Sequence, residues 1–233
     1  MRRRVTNLVG YQERVRASVR DHKFTYLLGS LCLLFILFPF LESMTFGRHL
    51  FSLLLALILL MSIVAVSDTR RILAIIVATG LPAIALNLAG YFDPSQVWFV
   101  GNQVFAVAFF LFTAFTLFVH ILNRERVTHD EVFGAISVYL LIALAFGSLF
   151  LLADRVEPGS FVKTLNVTGA GRGVMTYSDY VYYSFGSITT AGTGEIVETG
   201  GFVRALTMLE SVMGLFYVAF VISKLVSPVN RGS

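Results

Sequence analysis

Apolar residues run along this chain in long blocks separated by short polar breaks. Six blocks, about Phe24 to Leu41, His49 to Val66, Ile72 to Gly90, Val97 to Leu122, Val132 to Ala153 and Phe202 to Val226, each approach the roughly 20 apolar residues a helix needs to cross a bilayer. Six spanning helices are therefore predicted. The first three breaks are brief, with Glu42 and Arg48, then Asp68, Arg70 and Arg71, then Asp93 and Pro94. Connections this short join antiparallel neighbours, so the first four helices form an up-down bundle.

The pattern changes elsewhere. Thr128-His129-Asp130-Glu131 fits a capping box and starts the fifth helix about there. Asp154 to Thr176 is polar and glycine-rich, and reads as an outer turret. Tyr177 to Phe185 then reads as a short amphipathic helix, capped by Ser178 and favoured by Asp179 through the helix dipole. Ahead of the first block, Met1 to Lys23 carries Arg2, Arg3, Arg4, Arg14, Arg16, Arg20 and Lys23, with Val5, Leu8, Val9, Gln12, Val15 and Val19 at helical spacing. An amphipathic helix on an anionic leaflet and a disordered basic tail both fit that stretch. It is too long for a signal-peptide n-region and no small-residue cleavage site follows, so it is expected to stay on the protein.

Composition agrees with the block pattern. With 56% hydrophobic and 14% charged residues and a mean hydropathy of +0.78, the chain has too little polar sequence to clothe a soluble domain of 233 residues. The net charge of +4 does not indicate nucleic acid, because the basic residues cluster at segment ends rather than along one face. They serve as topology signals instead. Arg70, Arg71, Arg124, Arg126, Lys224 and Arg231 join the basic N-terminus on one side, against Arg48, Arg155, Lys163, Arg172 and Arg204 on the other. This asymmetry predicts that both termini are cytoplasmic. Cys32 is the single cysteine, which leaves neither a disulfide framework nor a thiolate metal site.

Catalytic chemistry finds little support. His22, His49, His120 and His129 stand at different segment ends and form no ligand cluster, which suits interfacial residues. Gly169-Ala170-Gly171-Arg172-Gly173 has no preceding strand and no following Gly-Lys-Ser or Gly-Lys-Thr, so it is no phosphate loop. An enzyme is not expected, and no cofactor or small-molecule substrate is identified.

Thr189-Thr190-Ala191-Gly192-Thr193-Gly194-Glu195 resembles the potassium-channel signature, with Thr-Ala-Gly-Thr-Gly-Glu in place of Thr-Val-Gly-Tyr-Gly-Asp. In such a loop alternate residues adopt left-handed conformations so that successive carbonyls point inward, and only glycine does so cheaply. Gly192 and Gly194 sit where that geometry needs them. The resemblance is to pore-loop cation channels with a prokaryotic-type six-helix subunit, and it is specific over about Val132 to Val226. It implies an all-α membrane protein with six transmembrane helices, and a re-entrant pore helix and filter loop between helices 5 and 6. The units are then a basic cytoplasmic segment (1–23), a peripheral four-helix domain (24–122), a cytoplasmic linker (123–131), a pore domain (132–227) and a short cytoplasmic tail (228–233). That tail leaves no room for a nucleotide- or calcium-sensing domain after the pore.

The resemblance further implies a homotetramer in a lipid bilayer, of the plasma membrane of a prokaryote, conducting potassium passively. Thr190, Ala191, Gly192, Thr193 and Gly194 would form the ion-binding filter, holding potassium through carbonyls only, and Glu195 the mouth. Tyr182, Tyr183, Ser187, Thr189 and Glu210 would support it. Gly214 would be the hinge, and Leu215, Val218, Ile222 and Val226 a stripe lining cavity and gate, although plain helix packing fits that stripe equally. The altered filter points to reduced selectivity, and leaves a non-selective monovalent cation channel or a non-conducting scaffold as alternatives. A coupled transporter of the wider superfamily needs four pore loops in one chain, and this chain has one.

Two further expectations concern charge. Glu210 lies inside a spanning helix, where an acid is by default functional. It accepts hydrogen bonds from hydroxyls such as Ser187 or Thr189, lines the cavity as a cation site, or is protonated and merely buried; the first is favoured. The fourth block contains no arginine, so membrane voltage is not the principal gate.

Overall fold

The computed structural model describes residues 22–43, 47–66, 70–92, 96–124, 128–164 and 175–226. Its helices are α1 (Lys23–Ser43), α2 (Gly47–Val66), α3 (Arg70–Phe92), α4 (Gln96–Leu122), α5 (His129–Val156), α6 (Tyr177–Ile188) and α7 (Gly201–Val226), with strands β1 (Phe161–Lys163) and β2 (Ile196–Glu198) on either side of α6. The N-terminal unit before His22, residues 125–127 of the linker, the turret core (165–174), the tail from Ser227 and the side chain of Val226 lie outside the described residues. Among the described residues, four helical segments are long and apolar enough to cross a membrane: Arg71–Gly90, Val97–Leu122, His129–Val156 and Gly201–Lys224. In α1 and α2 the apolar stretches are shorter, Lys23–Leu37 and Leu53–Ile63.

Helix starts follow local chemistry. A capping box at Thr128, whose N–H donates to Glu131 Oε2, opens α5 at His129 rather than at the first apolar residue. In α6 the cap is Thr176 and not Ser178, because Asp179 lies three residues on and accepts the Thr176 N–H at 2.9 Å. The helix also runs to Ile188, beyond the expected Phe185. At α1 the cap comes from far away. Asp130, in the first turn of α5, accepts from Phe24 N (3.2 Å), Thr25 N (2.9 Å) and Thr25 Oγ1 (2.8 Å). Removing that acceptor with Asp130→Ala should cost about 1–2 kcal/mol. A lower melting temperature of the detergent-extracted protein would register the loss.

Packing centres on α5. Leu141, Leu144, Phe150, Ala143 and Ala145 are buried in it, against Leu27, Leu31 and Leu34 of α1 and Phe110 and Leu117 of α4. Within the chain 72% of the α5 span is buried but only 11% of the α7 span. The final helix is thus covered on one narrow strip. Its lower half meets the bundle: Phe118 of α4 packs on Tyr217 and Phe220, and Lys224 Nζ donates to the Leu122 carbonyl at 3.1 Å.

The structure corrects the all-α expectation with one small feature. β1 and β2 pair antiparallel, Phe161 opposite Glu198, Val162 opposite Val197 and Lys163 opposite Ile196. Phe161 and Ile196 are buried, and Phe161 stacks edge-on against Phe150, Tyr180 and Tyr183. Three-residue strands are too short for alternation to reveal them in sequence. Asn102, within α4, buries an Oδ1 with no hydrogen-bond partner.

Candidate functional site

The loop Thr189 to Glu195 is suspended between the end of α6 and β2, so what holds α6 holds the loop. At its start, Lys163 Nζ pairs with Asp179 Oδ1 at 2.8 Å. Tyr177 OH meets Ser148 Oγ at 2.8 Å, and Tyr180 OH donates to Asp154 Oδ2 at 2.5 Å. A helix leaves its last four carbonyls without intrahelical partners. Here each finds one. Phe185 O accepts from Thr189 Oγ1 (2.6 Å), Gly186 O from Gly192 N (3.0 Å), Ser187 O from Ser211 Oγ (2.9 Å) and Ile188 O from Tyr139 OH (2.8 Å). Two of the four donors come from outside the loop, Tyr139 on α5 and Ser211 on α7.

Backbone conformation alternates along the loop. Thr190 has φ +58°, Gly192 +72° and Gly194 +69°. Reversing every second residue brings successive carbonyls towards one side, which a carbonyl-lined path requires. The two glycines are where the sequence motif needed them, and Thr190 was not foreseen. It sits just past the cap residue of α6, a position commonly left-handed, and its N–H makes the bond that this position makes, to Ser187 O at 3.0 Å. A side chain there costs about 1–2 kcal/mol more than glycine.

The outer limb of the loop is tied to the ribbon. Glu195 O accepts from Thr164 N (2.7 Å) and Thr164 Oγ1 (3.0 Å). Thr193 Oγ1 reaches Ile196 O at 3.3 Å. Its methyl group fills the space that Gly186 leaves, since a Cβ at position 186 would stand 2.7 Å from Thr193 Cγ2. Tyr183 is buried, and its hydroxyl donates to Glu198 Oε2 (2.8 Å) and meets Thr207 Oγ1 (3.0 Å). Tyr182 points the other way and is exposed. The paired tyrosines therefore part company within one chain.

Glu210 is buried behind α6, but its partner differs from those expected. Ser184 Oγ lies in hydrogen-bond contact with Glu210 Oε1. Ser187 Oγ instead donates to Tyr183 O at 3.0 Å, and Thr189 Oγ1 to its own helix. Serine hydroxyls turn back on the helix when the preceding carbonyl is near, and helical phase leaves Ser184 facing α7. Gly214 is a point of closest approach: a Cβ there would stand 2.3 Å from Ile188 O. Beyond it Leu215, Val218 and Ile222 are exposed. Among the described residues no three His, Cys, Asp or Glu side chains gather as a metal site.

Residues 135–231 match a family model described as Ion channel. The match supports an ion channel. It covers nearly all of α5, the turret, α6, the loop and α7, and leaves α1 to α4 unmatched. The family is one of ion channels and not of enzymes, and with the long apolar helices it supports a multi-pass membrane protein. No curated protein and no solved structure matches the chain. The residues that hold the loop, Tyr139, Ser148, Thr164, Ser184 and Ser211, escaped sequence reasoning. Hydroxyls within apolar helices have no periodic signature that separates a bridging serine from an idle one.

Proposed function

We propose that the chain is one subunit of a homotetrameric, six-helix channel that conducts potassium passively, with both termini on the cytoplasmic face of a plasma membrane. The observation that carries this reading is the left-handed alternation at Thr190, Gly192 and Gly194, at the end of a short helix whose carbonyls are all engaged. Thr190, Ala191, Gly192, Thr193 and Gly194 are then the ion-binding residues, and Glu195 keeps negative charge at the outer mouth. One loop supplies a quarter of a ring, so a path needs four copies. The sparse cover of α7 suits that assembly, because neighbouring copies and the pore would occupy its free faces. Gly214 is its hinge, and Leu215, Val218, Ile222 and Val226 its cavity lining and gate.

Potassium is favoured over sodium less sharply than by a Thr-Val-Gly-Tyr-Gly filter, because Thr193 and Ala191 place less mass behind the carbonyls. Reversal potentials of the purified protein in liposomes, under opposed potassium and sodium gradients, test this. A potential that follows potassium supports it; one indifferent to the cation gives the non-selective alternative, and absent flux gives the scaffold. Mass measurement in detergent should find a tetramer.

Voltage is not expected to drive opening. Each elementary charge crossing the field contributes about 2.3 kcal/mol per 100 mV, so a sensor needs several. The span Val97 to Leu122 contains no Lys or Arg. A conductance rising steeply with voltage, as for several charges per subunit, would overturn that expectation.

A further inference from the structure

Glu210 has no exposed surface at all, and its Oε2 has no hydrogen-bond partner. Ser184 Oγ touches two oxygens, Ala143 O at 2.7 Å and Glu210 Oε1. A serine hydroxyl carries one proton, and a peptide carbonyl carries none. If Ser184 gave its proton to Glu210, two bare oxygens would face one another at the Ala143 contact. The only arrangement with a proton in both gaps has Ser184 donating to Ala143 O and receiving from the carboxyl.

We infer that Glu210 is a neutral carboxylic acid, its proton on Oε1, donating to Ser184 Oγ and so tying α7 through α6 to the α5 backbone. The surroundings agree. An ionised carboxylate sealed from water needs a cation or several donors, and a bare Oε2 offers neither. As the carbonyl oxygen of an acid it is far cheaper to leave unpaired. The neighbouring phenols are committed elsewhere, Tyr139 to Ile188 O, and Tyr183 to Glu198 and Thr207. Glu210 has no ion pair with a described residue. It is a positioning residue, fixing the depth of α6 one turn before the loop, and not a cation site in the cavity.

Infrared difference spectra between the intact protein and Glu210→Gln decide the point. Loss of a protonated-carboxyl stretch is expected; loss of a carboxylate band instead overturns the inference. Should Glu210→Gln fail to assemble, Ser184→Ala serves. Removing the acceptor must shift the protonated-carboxyl stretch, and an unmoved or absent stretch refutes the arrangement. Function gives a second readout, which rests on the channel reading. The glutamine amide can donate as the acid does, so Glu210→Gln should hold the potassium-to-sodium ratio within about twofold of the parent, whereas Glu210→Ala lowers it roughly fivefold or more. Equal loss in both variants would refute the donor role. The spectra need no conduction, so a parent protein without flux defeats the channel reading alone.

Discussion

Gly214→Ala is expected to leave little assembled protein and almost no flux. The added Cβ would stand 2.3 Å from Ile188 O, 2.7 Å from Ile188 Cγ1 and 3.1 Å from the Ile188 carbonyl carbon. Two of those three atoms are backbone, so no rotamer change relieves the contact. Either α7 withdraws or the end of α6 shifts. Withdrawal breaks Ser211 Oγ to Ser187 O and the Ser184–Glu210 contact; a shift of α6 strains Tyr139 OH to Ile188 O. Overpacking costs about 1–3 kcal/mol and each buried hydrogen bond with a stranded partner about 1–3 more. The combined loss is about 3 kcal/mol or more per subunit. Size-exclusion profiles and liposome flux measure it. Normal assembly with altered opening would show that Gly214 acts as a hinge alone, whereas failed assembly shows the tight contact dominating.

Gly186→Ala is expected to abolish potassium preference in whatever channel still forms. Its Cβ would meet Thr193 Cγ2 at 2.7 Å, the Gly192 carbonyl carbon at 3.2 Å and Thr193 N at 3.3 Å. Thr193 cannot yield outward freely, since the loop is held on that side by Thr164 on Glu195 O and by Gly192 N on Gly186 O. The carbonyls of Gly192 and Thr193, two of the proposed ligands, must therefore move by some tenths of an ångström. Thr193→Ser deletes the methyl group that clashes first, so the double variant should recover part of the selectivity lost by Gly186→Ala alone. Reversal potentials of the four proteins form a double-mutant cycle, and strict additivity would show that residues 186 and 193 do not touch.

Much of this chain could be read before it was folded, because the deciding forces act locally. The six apolar blocks fall in six helices, four of which hold segments long and apolar enough to cross a membrane, since a helix satisfies its own backbone groups where apolar surroundings offer no partner. The capping box at Thr128 and the left-handed glycines at 192 and 194 rest on contacts within a few residues. The Ion channel match then bears on residues 135–231, which carry this loop. Tertiary structure decided how the loop is held. Thr164 reaches Glu195 only because β1 pairs with β2, across 31 residues. Tyr139 and Ile188 lie 49 residues apart, and Ser184 and Glu210 lie 26 apart. Such bonds depend on the phase and depth of packed helices, which no periodicity along the chain records. The same is true of Gly214, whose missing side chain matters only because another backbone passes where a methyl group would stand.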